Sequence, residues 1–167
     1  MKKYVLNILI FTLLVNLSFS QNLDSLNISR INDTILSKYL NEKRPIEIQL
    51  PRSYYANPDK KYPLIVVLDG DYMFNIVAGS VDYLSYWGDI PENLIVGIYQ
   101  KETRFKDSSV LDNITHTPIT STASFYDFIV NEVIPYFSKN YRISNFRVIL
   151  GQERTANFAN FFLLKKT

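Results

Sequence analysis

The sequence predicts an α/β fold with a mostly parallel sheet and helices on both faces. Three observations predict it. The runs Leu64 to Leu68, Asn93 to Ile98 and Phe146 to Leu150 are apolar almost throughout and rich in β-branched residues, as strands buried on both faces are. Segments with helical spacing of apolar residues follow or separate them. Each run ends in a turn, so strands and helices alternate as in right-handed crossover units.

The elements follow in order. Residues 1–20, MKKYVLNILIFTLLVNLSFS, carry Lys2 and Lys3, an apolar run from Val5 to Val15, and the small residues Ser18 and Ser20. This is the pattern of a secretory signal peptide cleaved between Ser20 and Gln21, which makes the protein exported, periplasmic or secreted. A membrane anchor is the alternative, but the run is shorter than the ~20 residues that span a bilayer. Residues 21–42 are polar, with apolar positions spaced too irregularly to mark a helix or strand, and form a lead-in. Residues 43–167 form the domain.

Strict alternation from Ile46 to Leu50 marks a strand with one apolar face, ended by Pro51. Arg52 to Tyr62 reads as an exposed connection, and the buried run from Leu64 follows. Asp69-Gly70-Asp71 is a turn, where Asp serves local hydrogen bonding. Residues 73–87 place Phe74, Val77, Ala78, Val81, Leu84 and Trp87 on one stripe of a helix. That spacing makes core packing the default for Tyr72, Tyr83, Tyr86 and Trp87. The 24 residues from Tyr99 to Thr122 are polar and aperiodic, as a long loop is, and hold the single histidine, His116. A helix follows from Ala123, with Thr122 as N-cap and Pro135 bending its last turn. After the third run, Thr155 to Leu164 resumes a helical pattern.

Charge and composition narrow the function. Lys2 and Lys3 are the only charges in residues 1–20, so the remainder carries 16 basic and 16 acidic side chains and is neutral. Neutrality gives no electrostatic reason for a nucleic-acid or anionic-membrane partner. The absence of cysteine removes disulfides, thiolate metal sites and a cysteine nucleophile, and one histidine is little material for a metal centre. No cofactor is implied.

The segment Asn145 to Phe158 reads as strand, sharp turn and helix, the context in which a serine hydrolase places G-x-S-x-G. Here the turn is Gly151-Gln152-Glu153-Arg154-Thr155, so glutamate stands where the nucleophilic serine is expected. Small residues on either side let strand and helix approach; Gly151 meets that need and Thr155 meets it poorly.

Four stretches now carry a resemblance: PIEIQLP from Pro45, KYPLIVVLDGD from Lys61, FYDFIVNEVIPY from Phe125 and YRISNFRVILG from Tyr141. Over residues 43–164 the chain resembles the putative-esterase group of α/β hydrolases, which includes esterase D and enterochelin-esterase-like proteins. The resemblance implies a small carboxylic ester as substrate or ligand. It places Glu153 at the nucleophile position and the backbone N–H groups of Arg154 and of Asp71 or Tyr72 at the oxyanion hole. In such hydrolases the acid and histidine follow the elbow, so His116, which precedes it, is not the family's base.

A carboxylate attacking an ester would give an anhydride and would still need a base to activate water. Glu153 therefore reads as a non-catalytic elbow residue, paired with Arg154 at most. The chain is expected to be a shortened, inactive esterase homologue or a binding module that keeps the cleft. With three buried strands and one alternating strand as the whole sheet, it is also expected to self-associate through an open sheet edge.

Overall fold

The structure, a computed structural model, describes residues 28–109, 111 and 120–165. The expected leader and His116 lie outside the described residues. Five strands form one sheet: β1 (Arg30–Ser37), β2 (Glu42–Gln49), β3 (Tyr62–Val67), β4 (Leu94–Ile98) and β5 (Ile143–Leu150). Their spatial order is β1-β2-β4-β3-β5. β4, β3 and β5 run parallel, while β1 pairs antiparallel with β2 and β2 antiparallel with β4. The sheet is therefore mixed, and the expectation of a mostly parallel sheet holds for one side of it only.

β1 corrects the lead-in, to which the sequence assigned no regular element. Its inward positions are Ile31, Asp33, Ile35 and Ser37, so two of the four are polar, while Leu36 points outward. That mixture hides the period-2 signal. The polar positions are satisfied: the Tyr136 hydroxyl donates to Asp33, and the Ser37 hydroxyl accepts the Leu40 N–H at 3.0 Å. Pairing with β2 over Arg30 to Ser37 and Glu42 to Gln49 then fixes the strand.

Helix α1 (Gly70–Tyr86) covers one sheet face, and its first half packs Phe74, Val77 and Ala78 on Ile65, Val67 and Ile95. Gly70 is required here, because a Cβ would lie 2.7 Å from the carbonyl carbon of Gly97 on β4. The second half of α1 departs from expectation. Tyr83, Tyr86 and Trp87 are exposed, Trp87 at 66%, and Leu84 is more exposed than buried neighbours such as Val77. A 17-residue helix is about 25 Å long, whereas five-residue β4 spans about 17 Å, so α1 overruns the strands it lies on.

The other face carries the larger core. The polar stretch after β4 contains a short helix, α2 (Arg104–Ser108), pinned by a buried ion pair. Arg44 of β2 donates to both carboxylate oxygens of the fully buried Asp107 and stacks over Phe125 and Phe128. α3 (Thr120–Phe128) begins two residues before Thr122, which is buried inside it and is not the N-cap. A π-helical turn (Ile129–Val133) follows, then α4 (Ile134–Asn140). Pro135 cannot donate a backbone hydrogen bond, and the wider register just before it absorbs that loss.

β5 begins at Ile143, earlier than the apolar run suggests, and forms an edge among the described residues. Val148, Ile149 and Leu150 are only half-buried, and Phe146 is 64% exposed, since among the described residues no strand flanks β5 on its far side. α5 (Arg154–Lys165) leaves β5 through the elbow and buries Phe158 against Phe125.

Candidate functional site

Three turns meet at the carboxyl ends of the parallel strands, the usual ligand position in α/β sheets. The ladder between β3 and β5 continues into them, with the Leu68 N–H donating to the Leu150 carbonyl at 2.8 Å. Asp69 follows β3, Gln100 follows β4, and Gly151 to Glu153 follow β5.

The elbow is built from its small residues outward. Glu153 has φ 54°, the left-handed region that costs an L-residue about 1–2 kcal/mol. A Cβ on Gly151 would lie 2.5 Å from the carbonyl carbon of Thr155, so only glycine lets the strand end meet the helix start. Thr155 is fully buried, and its hydroxyl accepts the Gln152 N–H at 2.8 Å and donates to Asp69 Oδ2 at 2.8 Å. The residue that looked too large for its position is thus a fastening within the turn.

Asp69 is the centre of the network. It is 1% exposed, has φ 53°, and accepts from Arg104 Nε at 2.8 Å as well as from Thr155. Its N–H donates to Gln100 Oε1 at 2.9 Å. Gln100 in turn donates its own N–H to Asp71 Oδ2 at 2.8 Å and its amide to Asp107 at 3.3 Å. A continuous polar path therefore runs from Arg44 through Asp107, Gln100 and Asp69 to the elbow. Asp69 reaches well beyond the local turn bonding that its sequence context suggests.

Arg104 closes the site over Glu153. Its Nη2 donates to the Gln152 carbonyl at 3.1 Å and lies 3.4 Å from Glu153 Oε2. Its hydrogen bond to Asp69, outweighing partial burial, holds the guanidinium charged more firmly than usual. Glu153 accordingly pairs with Arg104. Arg154, the partner expected from sequence, donates to the Ser109 hydroxyl at 2.8 Å and stacks over Phe105. The Glu153 side chain is nevertheless 79% exposed and presents its carboxylate outward.

Asp71 and Tyr72 lie in the first turn of α1, and Arg154 opens α5. The Tyr72 hydroxyl lies 3.1 Å from both Asp69 Oδ2 and Gln152 Oε1, with one proton to give, so it joins the two helix starts. Burial, with the adjacent Asp69 carboxylate, pushes the Tyr72 phenol above its ordinary pKa. The Tyr72 N–H donates to the Asp69 carbonyl at 3.2 Å. Among the described residues no cluster of three His, Asp or Glu side chains could hold a metal ion.

Sequence reading missed Asp69 as a long-range partner, and missed Gln100, Arg104 and Thr155. An Asp-Gly step at the end of a buried strand was the available signal for Asp69. Arg104 and Gln100 lie in an aperiodic polar stretch that gives none.

A strained elbow between strand and helix, set beside a second strand-turn-helix, is the arrangement of an α/β-hydrolase-type esterase. The chain belongs to the esterase family: the family model described as "Putative esterase" matches residues 37–164. No curated protein matches it.

Solved structures agree on the fold. An uncharacterised protein from Capnocytophaga ochracea is 29% identical with a TM-score of 0.72, over 81% of this chain and 36% of that one. An IroE-like serine hydrolase from Shewanella oneidensis is 24% identical with a TM-score of 0.65, over 75% and 43% respectively. The enterobactin esterase FES from Shigella flexneri, solved in the presence of 2,3-di-hydroxy-N-benzoyl-glycine, is 19% identical with a TM-score of 0.62, over 81% and 32%. The chain thus spans less than half the length of these relatives.

Proposed function

We propose that this chain is an exported esterase-family protein directed at small carboxylic esters, in which serine-based acyl transfer does not operate. One observation carries the reading. Glu153 occupies the elbow in the left-handed conformation that presents a nucleophile, yet it has no hydroxyl to acylate, and Arg104 lies beside its carboxylate. Of the expected oxyanion donors, the Tyr72 N–H is committed to the Asp69 carbonyl, so the reading rests on the N–H groups of Arg154 and Asp71, now contributing to binding of the ester carbonyl.

Attack by the Glu153 carboxylate would produce a mixed anhydride, whose hydrolysis needs an activated water. Without the serine, the oxyanion donors and binding contacts supply only residual catalysis. Purified chain should therefore show no turnover of short p-nitrophenyl acyl esters above background. Activity that vanishes in Glu153→Gln would make the carboxylate the working group and end this reading.

A second reading, a binding module that retains the hydrolase cleft, is favoured by the persistence of the turn geometry around a residue that cannot do serine chemistry. Binding of an ester without its consumption, followed by titration calorimetry and product analysis, separates it from turnover. Export itself predicts a mature N-terminus at Gln21, and an intact Met1 in a membrane fraction would contradict it. No helix of the described residues is long and apolar enough to cross a membrane.

A further inference from the structure

Gln100 follows β4 in the interior, and each of its polar groups is committed. Its Oε1 accepts the Asp69 N–H at 2.9 Å, and its Nε2 donates to Asp107 Oδ2 at 3.3 Å. Its backbone N–H donates to Asp71 Oδ2 at 2.8 Å, and its carbonyl accepts the Thr103 N–H at 2.9 Å. The side-chain amide can face only one way. Reversed, its oxygen would meet the Asp107 carboxylate and its nitrogen would meet the Asp69 N–H, with no proton to share in the first case and no acceptor in the second. Asp107 is fixed in turn by Arg44 and by the Thr103 hydroxyl at 2.6 Å. Arg44, Asp69, Gln100 and Asp107 are all at most 2% exposed.

These contacts bracket the start of α1. Asp69 and Asp71 flank Gly70, which lies so close to the β4 backbone at Gly97 and Ile98 that no side chain fits there. The Asp69 carboxylate is spent on Arg104 and Thr155 and makes no cap to α1. The first N–H groups of a helix have no partner within it. What holds this turn therefore sets the direction of the Asp71 N–H, and Gln100 holds it on both sides of Gly70.

We infer that Gln100 is a positioning residue that aims the Asp71 N–H at the ester carbonyl, with Asp107 and Arg44 as its anchor. The inference rests on the reading of Asp71 as a donor in the elbow site. Thr155 ties the elbow, and with it Arg154, to the other side of Asp69. The spacing of the two donors is thus set from two strands, from β5 through Thr155 and from β4 through Gln100.

Gln100→Glu tests the clamp, because it replaces the donor that faces Asp107 with an oxygen. Burial and the Asp107 carboxylate raise the new carboxyl's pKa; Asp71 adds to that rise, and Arg44 and Arg104 moderate it. Near pH 7.5 the ionised carboxyl repels Asp107 and opens the clamp. Near pH 5.5 a proton returns and can be donated to Asp107 as the amide proton was. Nitrogen–proton correlation spectra of the full chain, titrated with methyl butyrate, read the outcome. In the wild type the Asp71 and Arg154 amides should shift together on titration, alike at both pH values. In Gln100→Glu near pH 7.5 the Asp71 amide of the free protein should be displaced and the ester should bind about fivefold more weakly, the worth of one neutral hydrogen bond. Both should return to wild type near pH 5.5.

Gln100→Asn, one methylene too short to span Asp69 and Asp107, should show the displacement and the weaker binding at both pH values. It carries the test if Gln100→Glu fails to fold near pH 7.5 by circular dichroism. Ile35→Ala, a buried change on β1 away from the clamp, should lower stability and produce neither effect.

An Asp71 amide at its wild-type position in both Gln100 variants would overturn the inference. Equal displacement in Ile35→Ala would overturn it too, since the effect would then be one of stability alone. Displacement in Gln100→Glu that persists near pH 5.5 would overturn the part played by Asp107. Absence of methyl butyrate shifts at Asp71 and Arg154 in the wild type would overturn the ester reading instead, and the clamp is then decided by the Asp71 amide of the free proteins.

Discussion

Thr155 Oγ1 donates to Asp69 Oδ2 at 2.8 Å, joining two turns that lie 86 residues apart in sequence. The same hydroxyl accepts the Gln152 N–H, so one side chain satisfies the inside of the elbow and ties it to β3. Asp69 passes the connection on to Arg104 and Gln100. The elbow's shape is therefore held by buried polar contacts from three turns, independent of which residue stands at 153.

Thr155→Val keeps the shape of the side chain and removes the hydroxyl. It takes the partner from the Gln152 N–H and leaves Asp69 Oδ2 with the Tyr72 hydroxyl alone, at a cost of about 1–3 kcal/mol. Urea unfolding should show that loss, while Thr155→Ser, which keeps the hydroxyl, should lose less. A Val variant as stable as the parent would mean that the contact is not formed in solution.

Gly151→Ala should be far more damaging than its one added methyl suggests. The new Cβ would sit 2.5 Å from backbone atoms of Thr155, and backbone cannot step aside as a side chain can. Overpacking of this kind costs about 1–3 kcal/mol or more. Gly79→Ala is the internal control. Nothing lies within 4 Å of its new methyl in mid-helix, so it should gain up to about 1 kcal/mol of helix propensity. Thermal melts of the two variants should shift in opposite directions.

Glu153→Gly should stabilise the fold. The left-handed backbone at φ 54° costs a side-chain-bearing residue about 1–2 kcal/mol, and glycine removes that cost. The lost pair with Arg104 involves a mostly exposed carboxylate and is worth about 0–1 kcal/mol. Glycine's greater unfolded-state freedom takes back a further part. The expected net is a gain of up to about 1 kcal/mol over wild type and over Glu153→Ala. A glycine variant less stable than the alanine variant would show that the turn is not strained.

Most of what positions the site was legible before its chemistry. The buried runs at Leu64 and Asn93 are strands because they lie centrally, with neighbours on both edges and cover on both faces. The elbow was legible because a glycine between a β-branched run and a helical pattern admits few conformations. β1 was not legible, since Asp33 and Ser37 at inward positions are satisfied by partners distant in sequence or in the next turn. The outer end of α1 misled for the opposite reason. Its apolar spacing is regular, but the sheet ends before the helix does. Arg104 and Gln100 gain their roles only through the register that sets β4 beside β3, information that no local pattern contains.

Acid should weaken the fold through Glu92 in a defined direction. Burial alone would raise its carboxyl, but the Lys60 ammonium at 2.6 Å and the Ser53 hydroxyl and N–H outweigh that and hold it below the ordinary value of 4.5. A carboxylate whose folded pKa is depressed adds stability that is complete above its unfolded pKa and is lost as pH falls through the folded one. Glu42 behaves in the same sense, since Arg44 and Lys106 outweigh its burial. Urea midpoints should therefore hold steady near neutrality and decline below about pH 4.5 as these groups bind protons more readily in the unfolded chain. Glu92→Gln should start from a lower midpoint at pH 7 and fall less steeply in acid, because it has no proton to take up. Parallel curves for wild type and Glu92→Gln across that range would show that the Glu92 contacts with Lys60 and Ser53 do not persist in solution.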